Sequence, residues 1–344
     1  MDVTRTEILQ KLESANVGVT GRAVLEQSDS FVFSEGQLIT FNGEIYTRQK
    51  SPMGDEFSGA LPAKDFLRIL QRFPDNILQI SAKGGELIIK GKKRSAGIKM
   101  MMEVLLPHQD VPVPEKFSKM PEGLKDILIQ ASRTCGKDET APKTTHVHIA
   151  DDRVEATDSF RVFRAEINTG IKTPVLVHAT SLNSISSYDI KGMSATSESW
   201  FHFRTADKMT ISILCSADKY YKKSMIDSLL QVEGDQIVFP KNLSEILSRA
   251  EVMQDSNAYA QVWDSQISIA LFEDTLQVTS KKDEGWFKES KRINYSGPEL
   301  RFSIHPTFLK EIISRTKKAI ISEKQIKIEV GNIFFTAALE RGDI

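Results

Sequence analysis

Residues 240–251 read PKNLSEILSRAE and residues 305–316 read HPTFLKEIISRT. In the first, Leu243, Ile246, Leu247 and Ala250 make one apolar stripe; in the second, Phe308, Leu309, Ile312 and Ile313 do the same. Apolar residues at i, i+3 and i+4 share one face of an α-helix, so each stretch predicts a short amphipathic helix. Four more stretches repeat the pattern after a polar or proline lead-in: residues 4–15, PAKDFLRILQRF at 62–73, PEGLKDILIQAS at 121–132 and HATSLNSISS at 178–187. The starts at 4, 62, 121, 178, 240 and 305 lie 57 to 65 residues apart. Such a period marks a repeated unit. Pro62, Pro121, Pro240 and Pro306 fall at or near the first helical turn, where a missing N–H costs nothing.

After each helix come short runs that alternate apolar and polar residues, among them ILQISAK, ELIIKGK, THVHIAD, WFHFRT, MTISILC, QISIALF, TLQVTS and QIKIEV. Turn residues such as Lys83-Gly84-Gly85, Ala206-Asp207 and Gly331-Asn332 separate them. Period-2 runs between turns are strands in hairpins and meanders. The unit is one helix with three or four antiparallel strands, and the fold class is α+β. Six units pair into three domains of about 115 residues, a common domain size. They are placed at 1–117, 118–233 and 234–344, with connectors at 108–119, containing VPVPEKFSK, and at 229–234. Three unrelated α+β domains are the other reading of the same elements.

The chain has 344 residues, with 45 basic and 46 acidic side chains and a net charge of −1. That balance excludes a nucleic-acid binder that works by overall charge, but not one with a basic inner surface and an acidic outer one. No run approaches the roughly 18 apolar residues of a membrane helix, and the polar start MDVTRTEILQKLE is not a secretory signal. No membrane association is expected. Two cysteines, Cys135 and Cys215, make no disulfide framework and fit a reducing, cytoplasmic compartment.

With the repeat in place, three segments in order resemble one family, the bacterial-type DNA sliding clamp (DNA polymerase III beta subunit). VEATDSFRVF at 154–163 resembles the ATDGHRLA motif of the family's second domain. LPAKDFLRILQRF at 61–73, followed by ELIIKGKKRS, is similar to the helix and glycine-arginine-serine strand of its first domain. YSGPELRFSIH at 295–305 resembles the YSG…FN segment of its third. There are departures. Ser159 and Phe160 replace Gly-His, His305 stands where Asn is usual, SADKYYKK at 216–223 lacks the Phe-Pro-Asp-Tyr wording, and LERGDI at 339–344 is not the family's apolar tail. They point to a divergent, phage-like member.

The resemblance implies three similar clamp domains with helices lining the inside of a ring and sheets outside, two chains joined head to tail around duplex DNA, and no cofactor. It implies as partners double-stranded DNA held without sequence preference, a DNA polymerase, a clamp loader and a second copy of the chain. The cations expected on the helices are Arg5, Lys11, Lys64, Arg68, Arg72, Lys125, Arg133, Lys241, Arg249, Lys310, Arg315, Lys317 and Lys318. Ordinary solvated helix faces would carry such residues too, and residues 179–187 carry none. The partner-peptide groove maps onto Phe160, Arg161, Val162, Tyr220, Tyr221, Met225, Ile226 and Leu339, with interdomain core as the alternative for Val162 and Met225. Strands 98–104 and 285–293 would face each other between subunits, through Ile98, Met100, Met102, Phe287 and Ile293 with Val252 and Met253 nearby.

Catalytic chemistry finds no support. KGKKR at 90–94 is a basic hairpin, not a phosphate-binding loop, because GxxxxGK[ST] is absent. His146 and His148 share a strand face, but no third ligand stands at metal spacing. Asp158 lacks a base, a metal cluster and a glycine-rich turn, so it caps a turn. No enzyme is expected. The rival readings are a clamp-like scaffold that does not encircle DNA, and a hydrolase whose acids the sequence does not assemble.

Overall fold

A computed structural model describes residues 1–197, 199–253 and 266–341. The last three residues of LERGDI lie outside them. The helices are α1 (Arg5–Ala15), α2 (Ala63–Arg72), α3 (Leu124–Ser132), α4 (Pro142–Thr145), α5 (Ala179–Ser184), α6 (Lys223–Leu230), α7 (Leu243–Ala250) and α8 (Pro306–Arg315). The six repeat helices are α1, α2, α3, α5, α7 and α8; the sequence pattern does not announce α4 and α6.

The repeat helices pack as three pairs, α1 on α2, α3 on α5 and α7 on α8. Each presents the stripe its sequence predicts. Ile8, Leu12 and Ala15 of α1 are buried, as are Ala63, Phe66 and Leu70 of α2. Leu243, Ile246, Leu247 and Ala250 of α7 lie inward with Phe308, Leu309, Ile312 and Ile313 of α8. Full burial of one such side chain stabilises by about 1.5–3 kcal/mol, so these stripes, and not intrinsic propensity, hold helices this short. The helix starts alternate in kind. Pro121 and Pro240 each precede a turn whose carbonyl accepts from Leu124 N (3.2 Å) and Leu243 N (3.1 Å). Pro62, His178 and His305 are instead the capping residues themselves.

The chain forms two compact units. The first comprises residues 1–133, 148–151 and 168–218. It holds a four-stranded antiparallel sheet, Asp2–Thr4, Ile77–Lys83, Glu86–Lys90 and Ser95–Lys99 in that order. A second sheet carries Gly59–Pro62, Ser30–Ser34, Gln37–Phe41 and Ile45–Lys50, and continues through Thr210–Ser216 into Trp200–Thr205 and Ile190–Ser197. A core with Leu12, Phe31, Phe33, Phe66, Leu78 and Leu87 fills the space under α1 and α2.

The second unit comprises residues 134–147, 152–167 and 219–344. In it the hairpin Arg153–Thr157/Arg161–Glu166 continues antiparallel through Ile333–Ala338, Gln325–Val330, Lys318–Ile321 and Asp235–Val238. A five-stranded sheet runs Gly285–Arg292, Thr275–Lys282, Ile267–Phe272, Leu300–Ile304 and Glu340–Arg341. Residues 118–233 are thus shared between the two units, because their strands extend sheets begun by both flanking thirds. Gly234, in the connector foreseen at 229–234, is required by close approach: a Cβ there would lie 2.0 Å from the Ile321 carbonyl oxygen.

Candidate partner-binding cleft and nucleic-acid face

The motif VEATDSFRVF folds as a tight hairpin. Thr157 Oγ1 donates to the Arg161 carbonyl (2.6 Å) and accepts from Ser159 N (3.1 Å). Asp158 Oδ1 accepts from the backbone N–H groups of Phe160 (3.0 Å) and Arg161 (2.8 Å), so Asp158 caps the turn as its spacing predicts. Ser159 sits at φ +79°, in the left-handed region. Glycine, which the resembled motif has at this position, takes that conformation freely, whereas a residue with a Cβ is strained by about 1–2 kcal/mol.

Arg161 does not line an open groove. It is 7% exposed. Its Nε donates to Asp158 Oδ2 (2.8 Å), its Nη1 to Glu311 Oε2 of α8 (2.9 Å), and its guanidinium lies 3.9 Å from the Phe308 ring centroid. A buried guanidinium needs such partners, since desolvation alone would expel the charge. Arg315 Nη2 also reaches Glu311 (3.1 Å), and its guanidinium packs 5.3 Å from Phe163 and 5.8 Å from Phe335. The hairpin and α8 are therefore fastened by one ionic and aromatic network. His305, where the resembled segment has Asn, caps α8: its Nδ1 accepts from Thr307 N (3.2 Å). Burial, and next the Arg161 charge, lower the His305 pKa and keep this acceptor unprotonated.

Val162 is corrected in the same way. It is buried in a cluster with Ile226 and Leu230, against half-buried Tyr220, Tyr221, Leu229 and Phe334. The reason is the pleat: Val162 stands opposite Thr336, and α6 lies against this pair of strands. Asp227 of α6 is held by Arg164, which also binds the fully buried Glu155. Burial opposes the Arg164 charge, but Asp227 and Glu155 outweigh it and raise the pKa above its ordinary value. Leu339 is buried too, and the Ala338 N–H donates to the Phe160 carbonyl (2.8 Å). Val162, Ile226, Tyr220 and Tyr221 meet in one cluster, while Arg161, the preceding residue on the strand, turns to the opposite face and to α8. Met225 is 51% exposed on α6, and Tyr220, Tyr221 and Phe160 are half-buried.

The helix cations divide. Lys64, Arg68 and Arg72 on α2, Arg133 after α3, Lys241 before α7 and Lys318 are exposed. The others hold the fold. Arg5 Nη1 donates to the carbonyl of Phe73 (2.7 Å) at the C-terminal end of α2, where carbonyls lack helical partners. Lys11 pairs with Asp207 (3.3 Å), Lys310 with Glu251 (2.5 Å), and Arg249 makes a fork to Glu289 (2.8–3.0 Å). Lys125 donates to the Tyr188 carbonyl (2.6 Å) and Lys317 to that of Ile313 (2.8 Å).

The strands foreseen at the subunit contact are terminal in their sheets: Ser95–Lys99 ends one and Gly285–Arg292 another. Their side chains need correction. Ile98 and Met100 belong to the chain's own core, and Ile293 is 8% exposed, because alternation turns them inward. Met102 (62%) and Val252 (68%) are exposed, and Phe287 and Met253 are half-buried. Trp286, 68% exposed on Gly285–Arg292, is a surface residue that sequence reasoning missed; its place as the first outward residue after a turn was the available signal.

Neither thiol is activated. Burial, and next the Asp158 carboxylate, push Cys135 up to about 12, and burial does the same to Cys215. Among the described residues no three His, Cys, Asp or Glu side chains are grouped to hold a metal ion, and no helix is long and apolar enough to cross a membrane.

Six repeat helices in three packed pairs, carried on antiparallel sheets, define the architecture of a DNA sliding clamp, and comparison bears this out. The DNA polymerase sliding clamp from Bacillus subtilis superposes with a TM-score of 0.82 at 16% identity over 99% of both chains. The bacterial form is the one matched: DNA polymerase III beta chain from Streptococcus pneumoniae gives 0.83 at 16% identity, and the sliding clamp from Pseudomonas aeruginosa 0.79 at 15%, each over 99% of both chains. The chain has the bacterial sliding-clamp fold from end to end. No protein-family model and no curated protein sequence matches it.

Proposed function

We propose that this chain is a DNA sliding clamp: a processivity factor that closes around duplex DNA and tethers a replicative DNA polymerase. The observation that carries this reading is the likeness to bacterial clamps over 99% of the chain, with all three helix pairs present. It performs no chemistry itself. Three clamp domains, 1–117, 118–233 and 234–344, make a half-ring. Two copies join head to tail through the terminal strands Ser95–Lys99 and Gly285–Arg292; a heterologous contact closes into a ring when its rotation allows. The exposed cations on α2 and beside α7, with Arg133 and Lys318, attract phosphate without reading bases. Enclosure then turns repeated polymerase binding into a high effective concentration. A separate ATP-driven loader opens the ring, in the cytoplasm of a bacterium or of a phage-infected host. The polymerase tail docks at Met225, Tyr221 and Phe160, over the floor made by Val162 and Ile226.

One observation favours the rival scaffold that does not encircle DNA. Several expected channel cations are spent on internal contacts, and α5 offers none. Mass in solution by light scattering separates the two: a dimer at micromolar concentration supports the ring, and a monomer with or without nicked circular duplex supports the scaffold.

A further inference from the structure

The outward face of the five-stranded sheet has a composition that the clamp reading does not use. Along Thr275–Lys282, Leu276, Val278 and Ser280 turn inward and are buried, so Gln277, Thr279 and Lys281 turn out. On one side Lys281 stands opposite Trp286, Thr279 opposite Lys288 and Gln277 opposite Ser290. On the other, Ser268 lies opposite Thr279 and is itself opposite Ser303, while Ala270 lies between Gln277 and Arg301. Ser268, Gln277, Thr279, Lys281, Lys288 and Arg301 line a cleft of about 630 Å³ that also takes in Phe272, and Trp286 stands beside Lys281 outside that lining.

Charge is distributed unevenly here. Lys281 and Lys288 make no hydrogen bond or ion pair among the described residues, and Arg301 meets Glu299 only in an exposed pair. The acid on the neighbouring strand, Glu289, is turned to the opposite face, where Arg249 takes it. In a chain of net charge −1, a cleft with two uncompensated lysines attracts polyanions. The row between them is made of hydroxyls and amides, which donate and accept. At its rim is an exposed indole. Cations for phosphate, an aromatic face for stacking and a sheet wide enough for successive residues are the parts of a platform for unpaired nucleotides. A duplex keeps its bases stacked on each other and has no use for Trp286. An acidic peptide would use the lysines but neither the indole nor the hydroxyl row.

We infer that this sheet face binds single-stranded nucleic acid, with phosphates at Lys281, Lys288 and Arg301 and a base stacked on Trp286. The site uses the sheet face away from α7, whereas the proposed subunit contact uses the free edge of the same strand, Gly285–Arg292. The test is a titration with short oligo-thymidylate, read by tryptophan fluorescence and by anisotropy of the labelled strand, with a duplex of equal length and poly-glutamate as competitors. The expected result is quenching that weakens as salt rises, and a loss of affinity of about tenfold or more in a Lys281→Glu/Lys288→Glu variant. That variant should keep the melting temperature, since both side chains are exposed. Trp286→Phe should remove the quench while leaving anisotropic binding measurable. Equal affinity in the double variant, absence of oligo-thymidylate binding, or displacement by poly-glutamate in preference to the duplex would each overturn the assignment.

Discussion

Arg161 of the central hairpin and Glu311 of α8 lie 2.9 Å apart, 150 residues apart in sequence, with the Arg161 guanidinium stacked on Phe308. Removing Arg161 takes the ionic partner from Asp158 and one of two from Glu311, which keeps Arg315, and breaking a buried pair costs about 3–5 kcal/mol. Arg161→Ala should therefore lower stability by about 3 kcal/mol. In a double-mutant cycle with Glu311→Gln, measured by urea unfolding, the coupling should lie between roughly 0.5 and 3 kcal/mol. Strict additivity would mean that the contact carries no energy.

Val162 and Met225 separate the floor of the cleft from its surface. Val162→Asp buries an unpaired carboxylate against Ile226 and Leu230, and should destabilise by several kcal/mol, on the order of the cost of an unpaired buried charge. Met225→Asp should leave the melting temperature within a degree or two, about the effect of an exposed substitution. It should still weaken capture of a Leu- and Phe-containing polymerase tail. If thermal melts show the reverse order, this assignment of floor and rim fails.

Ser159 carries strain that glycine would relieve. Ser159→Gly should raise stability by about 0.5–1 kcal/mol, the left-handed penalty less the extra entropy of an unfolded glycine. A fall in melting temperature would show that the Ser159 side chain supplies a contact outweighing that strain.

His202 is fully buried, its Nδ1 is 2.8 Å from Ser212 Oγ, and burial lowers its pKa from 6.5 to about 4. The unfolded chain thus binds a proton that the folded chain refuses between those values. Stability from this group is complete above pH 6.5, is lost as pH falls toward 4, and amounts to roughly 3 kcal/mol. His202→Gln should flatten that acid limb in chemical-denaturation curves taken across the window. An unchanged slope would assign the loss to other groups.

The six helices are legible in the sequence because apolar stripes such as Leu243-Ile246-Leu247-Ala250 leave no other face to bury. The turn-capping role of Asp158 follows from its neighbours. What spacing does not carry is the identity of a partner. Arg5 and Lys64 look alike in sequence, yet one closes the end of α2 and the other is solvated, because only the packing of α1 on α2 brings carbonyls to the first. Met100 reads as an edge residue until the pleat turns it into the core. Helix α6, in KKSMIDSLL, is as long as α7 but lies outside the repeat spacing, and it is fixed by Arg164 from far along the chain.

The central claim is enclosure of DNA, and retention on circular DNA tests it most directly. Phosphate contacts of the kind proposed for Lys64, Arg68 and Arg72 weaken as salt rises, whatever the shape of the DNA. Topological retention does not. The protein is loaded on a nicked circle, raised to salt that strips it from linear duplex, and passed over a gel-filtration column before and after the circle is cut. A ring stays with the circle and leaves through the ends once it is linear. Charge-neutral Lys64→Gln/Arg68→Gln/Arg72→Gln protein should load less well with a shallower salt dependence, yet show the same release on cutting. Equal retention on circular and linear DNA at high salt would contradict encirclement.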